Sequence, residues 1–243
     1  MPGEILFYLL LLIVAFLYAS VGHGGASGYL ALMACFSFAP DIMRPTALLL
    51  NLFVSAIAFF QYYKNGFFQW KLFWPFAITS IPLAFIGGMI HVDEDIYKKI
   101  LAVLLLFSVV KLIGFNVRPV AVRKKQNLIA SLIIGLIIGL FSGMIGIGGG
   151  IILSPLILLL HWADMKQTAA VSALFIFVNS LAGLSGSMIN GININPPMGL
   201  MLVIAFVGGL SGSYFGAKKF NTVKLKYLLS VVLIIASAKL IFT

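Results

Sequence analysis

The chain has 243 residues, 62% of them hydrophobic and only 9% charged, with a mean hydropathy of +1.13. A soluble domain would carry roughly a quarter charged residues, and strands of a membrane barrel would alternate polar and apolar positions. Both classes are excluded. The net charge of +10 sits in short loops between apolar runs, where membrane topology accounts for it without a nucleic-acid partner.

The first apolar segment, at about 5–21, is preceded by Glu4 and by no Lys or Arg. It lacks the basic start of a cleaved signal peptide and reads as mature structure. Gly22-His23-Gly24-Gly25-Ala26-Ser27-Gly28 then breaks the hydrophobic pattern. A short stretch at 26–38 follows with the chain's single cysteine, Cys35, expected to be a small buried hydrophobe. Segments at 43–63, 72–90 and 97–115 complete this half. Arg44-Pro45-Thr46 opens a helix with proline where a missing N–H is harmless. Trp70, Trp74 and Trp162 read as interfacial anchors, and Arg44 as an interface anchor in preference to a substrate ligand.

A connector at 116–127 carries Arg118, Arg123, Lys124 and Lys125. Beyond it come segments at 128–145, 150–161, 165–189, 196–217 and 226–242. The second half opens on its own break, Gly146-Ile147-Gly148-Gly149-Gly150, 124 positions after the first. Val21-Gly22-His23-Gly24-Gly25 matches Ile145-Gly146-Ile147-Gly148-Gly149, Thr46-Ala47 matches Thr168-Ala169, and Lys111-Leu112-Ile113 matches Lys239-Leu240-Ile241. The expected organisation is an N-terminal transmembrane repeat over 1–115, the connector at 116–127 and a C-terminal repeat over 128–243, together one all-α polytopic membrane domain.

The stretches at 26–38 and 150–161 reach only about 20 Å as helices, against a hydrocarbon core of about 30 Å. Each is expected to form a re-entrant hairpin with the preceding segment or a thin partial span. Each half then makes an odd number of passes, and the halves are inverted. Loop charge agrees. One side collects Lys64, Lys71, Arg118, Arg123, Lys124, Lys125, Lys166, Lys218, Lys219, Lys224 and Lys226, while the other holds only Arg44, Lys98 and Lys99. A parallel arrangement would put the richest loops on opposite faces, against the positive-inside rule. Both termini are expected outside.

A bent backbone at membrane depth has amides and carbonyls that lipid cannot satisfy, so it must be buried in protein or face a watery cavity. Helices resuming near Ser27 and Ile151 direct their first N–H groups and positive dipole ends at the breaks. Two such ends meeting near mid-membrane make an anion site with no buried Lys or Arg. The expected substrate-binding residues are Gly22, His23, Gly24, Gly25, Ser27, Asn51, Gly146, Gly148, Gly149, Gly150 and Asn179. The competing account is that the glycines only permit close helix packing. That account is preferred for the ladders Gly135, Gly139, Gly143 and Gly208, Gly212, Gly216, which suit internal contacts or a homodimer. His23 either adds charge beside an anion and couples release to a proton, or holds its loop as a neutral imidazole. Asn51, Ser55, Asn179 and Ser180 serve either as oxyanion donors or as interhelical glue. The acidic residues and the other histidines lie near segment ends, so no catalytic constellation, metal site or cofactor is expected.

The motif Gly143-x-x-Gly146-x-Gly148-Gly149-Gly150-x-x-x-x-Pro155, in a small duplicated membrane protein, resembles the sulfite exporter TauE/SafE family over essentially the whole chain. The first half departs from it: Ala26 stands at the third glycine, Ala31 stands where the other half has Pro155, and His23 is added. The resemblance implies transport of small sulfur-containing or organic anions, such as sulfite, sulfonates or sulfoacetate, across the bacterial inner membrane. The expected function is a secondary carrier exporting such an oxyanion. An anion channel with glycine-rich re-entrant filters, or a carrier for a non-sulfur organic anion, is the alternative.

Overall fold

In lipid, a backbone must satisfy its own hydrogen bonds, and a helix does so within one segment. The computed structural model describes residues 2–20, 25–114, 124–189, 191, 196–216 and 233–241, and every regular element among them is helical. The first half holds α1 (Pro2–Ser20), α2 (Ala26–Cys35), α3 (Pro40–Lys64), α4 (Trp70–Met89) and α5 (Glu94–Gly114). The second holds α6 (Leu128–Ile145), α7 (Gly150–Leu159), α8 (Met165–Ile189) and α9 (Pro196–Gly216), with a further helical stretch at 233–241. The short helices α2 and α7 have 10 residues each, and the long helices that follow them, α3 and α8, have 25 each.

Helices α3, α4, α6 and α8 are long and apolar enough to cross a membrane. Apolar side chains spaced three or four apart, such as Ile5, Leu9 and Ile13 on α1 and Ile129, Ile133 and Leu136 on α6, face outward as lipid-ready stripes. Polar residues turn inward instead: Thr46, Asn51, Ser55, Ser80, Ser142, Thr168, Asn179 and Ser180 are buried. The protein is a multi-pass membrane protein.

The packing repeats with the sequence. Helix α4 lies along α6 and α8, α9 lies along α1 and α3, and α3 lies against α8. Exchanging the halves (α1 with α6, α3 with α8, α4 with α9) carries each contact onto another and α3–α8 onto itself. The glycine ladders make the closest of these contacts. A Cβ on Gly135, Gly139 or Gly143 of α6 would strike the carbonyl oxygen of Phe76, Ser80 or Ala84 on α4. Gly208 and Gly212 of α9 press in the same way on the Leu12 and Phe16 carbonyls of α1. These ladders therefore pack internally; the surroundings of Gly216 lie outside the described residues.

Caps fix the helix ends. The Asn127 side chain accepts from the Ala130 amide at 3.1 Å, and Asp164 Oδ1 accepts from Gln167 at 2.9 Å. At the C-terminus of α4, Arg44 donates to the carbonyls of Ile90 (2.9 Å), Gly87 and Gly88, and to Ser187 Oγ of α8 at 2.9 Å. Arg44 is thus a tie between three helices as well as a residue near a segment end. Lys239 Nζ donates to the Cys35 carbonyl at 2.8 Å, closing α2 in the same manner. Cys35 itself is only partly covered, because it ends a short helix, so the expectation of full burial is corrected. Trp70 and Trp74 are exposed, but Trp162 folds inward, 6.1 Å from the Phe76 ring.

The two ends of the bundle are distinct. Lys166, at the start of α8, stands 4.8 Å over the ring of Phe67, just beyond α3, and the Lys124 amide donates to the His161 carbonyl. The basic residues Lys64, Lys71, Lys124, Lys125 and Lys166 therefore share one end. Arg44, at the start of α3, reaches Ser187 near the end of α8 at the other. Helices α3 and α8 consequently run antiparallel.

Candidate functional site

The second break is a chain of left-handed residues between α6 and α7. Gly146, Gly148 and Gly149 have φ of +87°, +72° and +76°. A side chain at any of them would be strained, which is why this stretch is glycine. Gly149 is the N-cap of α7, and Gly25 is the N-cap of α2; neither position supplies a side-chain acceptor to the amides that follow. The first turn of each short helix keeps its dipole end and leading N–H groups directed at its break.

Helices α3 and α8 clamp this loop. A Cβ on Gly148 would lie 2.8 Å from Asn51 Nδ2, 2.9 Å from Ile176 Cγ2 and 3.0 Å from Ser180 Oγ. Gly149 is covered by Ile138 and the Phe175 ring, and Gly150 by Ile176. Gly146 rests 2.9 Å, by the same measure, from the Arg44 carbonyl. Asn179 follows Phe175 and precedes Ser180, on the face of α8 that presses on the loop.

The side chains gathered here are polar, buried and unsatisfied. Asn51, Asn179 and Ser180 have no exposure, and Ser55 has 1%. Asn51 Nδ2 and Oδ1, Ser55 Oγ, Asn179 Oδ1 and Ser180 Oγ have no hydrogen-bond partner among the described residues. Asn179 Nδ2 donates to the Phe175 carbonyl at 2.8 Å, which fixes how its amide is turned. Each orphaned group costs about 1–3 kcal/mol relative to a satisfied one. Five such atoms lie on α3 and α8, and of these Asn51 Nδ2 and Ser180 Oγ stand beside the Gly148 turn.

The first break is partly described. A Cβ on Gly25 would meet the ring and hydroxyl of Tyr29, a fully buried residue whose hydroxyl also lacks a partner among the described residues. Ser27 Oγ is engaged, 2.8 Å from the Tyr18 hydroxyl. Tyr29 and Leu30 of α2, Ala47 and Leu50 of α3, and Ile147 and Ile151 of the second break belong to one apolar cluster. Helix α2 packs against α3, and α7 packs against α8. Gly22, His23 and Gly24, expected at the same site, lie outside the described residues.

Tyr29 was not among the residues expected from sequence. In an apolar segment it passes for a hydrophobe, and the only signal is its position one turn after Gly25. Ser55 and Ser180 were legible as polar residues within spans, and their one-turn spacing from Asn51 and Ile176 puts them on the site-facing sides. Ser142 and Thr168 are further buried hydroxyls with no partner among the described residues. Ser142 precedes the second break by one turn, its carbonyl accepting from the Gly146 amide at 2.9 Å.

A glycine break between helices of a multi-pass bundle, with unsatisfied polar groups beside it, is an arrangement found in polytopic membrane transporters. The particular family follows from comparison with known proteins. The model of the sulfite exporter TauE/SafE family matches residues 7–240. The chain is also 36% identical over 234 residues to the "Probable membrane transporter protein y4hK" of Sinorhizobium fredii, covering 95% of each sequence. The chain belongs to the TauE/SafE family, and it is a transporter and not an enzyme. No solved structure matches it.

Proposed function

We propose that the protein is a secondary carrier that exports a small sulfur-containing oxyanion across the bacterial inner membrane. The anion is held at the second glycine break by the α7 N-terminus, Asn51 and Ser180, with the first break approaching from the opposite side. The observation that carries this reading is the pair of buried, partnerless polar atoms beside Gly148, Asn51 Nδ2 and Ser180 Oγ. These are neutral hydrogen-bonding groups, suited to an oxyanion that has left water. The two halves are inverted repeats, a reading supported by the antiparallel course of α3 and α8 and by the collection of lysines at one end. Rocking of the halves about this junction would alternate access.

A negative cytoplasm favours exit of each negative charge by about 2.3 kcal/mol per 100 mV. Protein reconstituted in vesicles loaded with sulfite or methanesulfonate should show saturable flux that follows the imposed potential. No flux for any small oxyanion would defeat the proposal, and sustained unitary currents would favour a channel. His23 is assigned proton coupling. The His23→Ala variant should flatten the pH dependence of transport between about pH 5 and 8, where imidazole titrates; an unchanged profile would remove that role.

A further inference from the structure

We infer that a cavity at the Arg44 end of the bundle is a second site for the small oxyanion proposed above, and the inference rests on that reading. The cavity is a station between the second glycine break and water, and Arg44 is its cation.

The cavity, of about 290 Å³, lies among the starts of α3 and α5 and the ends of α4 and α8. Arg44, Tyr97 and Ser187 line it, together with the exposed residues Asp41 and His91. Pockets of about 300–1,000 Å³ hold whole drug-sized molecules, so a small oxyanion enters with part of its water. The same residues touch the break. The Tyr97 hydroxyl donates to the Ile145 carbonyl at 2.9 Å, and a Cβ on Gly146 would lie 2.9 Å from the Arg44 carbonyl.

Charge chooses the ligand. The acceptors that Arg44 meets are neutral: the Gly87, Gly88 and Ile90 carbonyls and Ser187 Oγ. Capping α4 accounts for those N–H groups, but no carboxylate comes within ion-pair distance of the guanidinium among the described residues. Such a cation in a cleft between low-dielectric walls draws anions, and the guanidinium fork suits oxyanions. Asp41 in the same lining opposes it and keeps binding weak, as a station that must release its ion requires. The repeat carries the same device to the other end. Thr46-Ala47 matches Thr168-Ala169, so Arg44 corresponds to Lys166, and each of the antiparallel long helices opens on a cation.

Arg44 also ties three helices together, so its charge is tested through its neighbours. In a Cys35→Ser background, His91→Cys places a thiol in the cavity lining, and Asp95→Cys places one on α5 outside it. The purified full chain in detergent is labelled with a neutral maleimide while methanesulfonate replaces gluconate at constant ionic strength. Above twice its dissociation constant, methanesulfonate should slow labelling at His91→Cys about threefold or more by occupancy. Labelling at Asp95→Cys should not change. Adding Asp41→Asn removes a like charge and should lower the half-protecting concentration about threefold or more. Adding Asn51→Leu, which strips the amide beside Gly148, should leave the protection in place. The inference is overturned by no protection at His91→Cys, or by equal slowing at both positions. Protection that Asp41→Asn fails to strengthen, or that Asn51→Leu abolishes, overturns it as well. In each of these cases methanesulfonate flux in vesicles would leave the oxyanion reading standing. If nothing protects and no small oxyanion is transported, both fall.

Discussion

Asn51 sets stability against the proposed function. Its side chain is fully buried and neither polar atom has a partner among the described residues, so it is a burden to the fold unless something binds there. Asn51→Leu keeps a similar volume and removes the unsatisfied amide. We expect it to stabilise the protein by about 1–3 kcal/mol, read as a raised melting temperature in detergent, while transport is lost. A lowered melting temperature would instead mark Asn51 as ordinary packing. Gly148 behaves in the opposite sense. Gly148→Ala forces a side chain into a left-handed backbone, costing about 1–2 kcal/mol, and drives its methyl against Asn51 and Ser180. Transport should fall at least tenfold, with a lower melting temperature. Much of this site was legible beforehand. Glycines in an apolar run say that the backbone is bent, and Asn51 and Asn179 are conspicuous among Leu and Phe. What sequence could not supply is which hydrogen bonds are made. Ser27 looks as available as Ser180, yet Ser27 meets Tyr18 and Ser180 meets no partner among the described residues.

Among the elements, small residues decide which helices touch. Gly→Ala in an isolated helix is favourable by about 1 kcal/mol. At Gly139 the added Cβ would collide with the Ser80 carbonyl and Cα on α4, so the sign reverses. Gly139→Ala should destabilise by about 2 kcal/mol or more, in the range of overpacked cores, whereas Gly199→Ala, with nothing within 4 Å of the added atom, should be neutral or mildly stabilising. Paired thermal denaturation of the two variants checks this. A neutral Gly139→Ala would mean that α4 and α6 can separate at small cost. The described helices from α1 to α9 fall within a few residues of the expected segments, because glycine breaks, prolines and loop charges punctuate an otherwise continuous apolar chain; the start of the segment expected at 226–242 lies outside the described residues. The partners of each helix were not. The pattern of four-residue spacing reveals a contact face on α6, but nothing in Gly135, Gly139 and Gly143 names α4 as the neighbour. That follows only when Phe76, Ser80 and Ala84 are seen to present carbonyls at the same interval.

For the molecule as a whole, the orientation of its halves has a direct consequence. Loops joined by the Lys166–Phe67 and Lys124–His161 contacts lie at one end and carry most of the described lysines, so that end should face the cytoplasm. In a Cys35→Ser background, Asp93→Cys should react with an impermeant maleimide added to intact cells. Lys64→Cys and Lys125→Cys should react only after permeabilisation. Lys64→Cys and Lys125→Cys labelling from opposite faces would rule out inverted halves, since both sites belong to the basic end. This sidedness also decides how the membrane potential acts. If the pocket moves one uncompensated negative charge from the basic end to the other, a potential of 100 mV supplies about 2.3 kcal/mol, which sustains a gradient of about 50-fold at equilibrium. A dianion would square that ratio, and a proton moving together with a monoanion would abolish it. Measuring the steady-state methanesulfonate gradient in vesicles at two imposed potentials therefore gives the charge moved per cycle. The expected slope is one charge if methanesulfonate, a monoanion, moves alone, and a slope near zero would mean that a proton travels with it, the role proposed for His23.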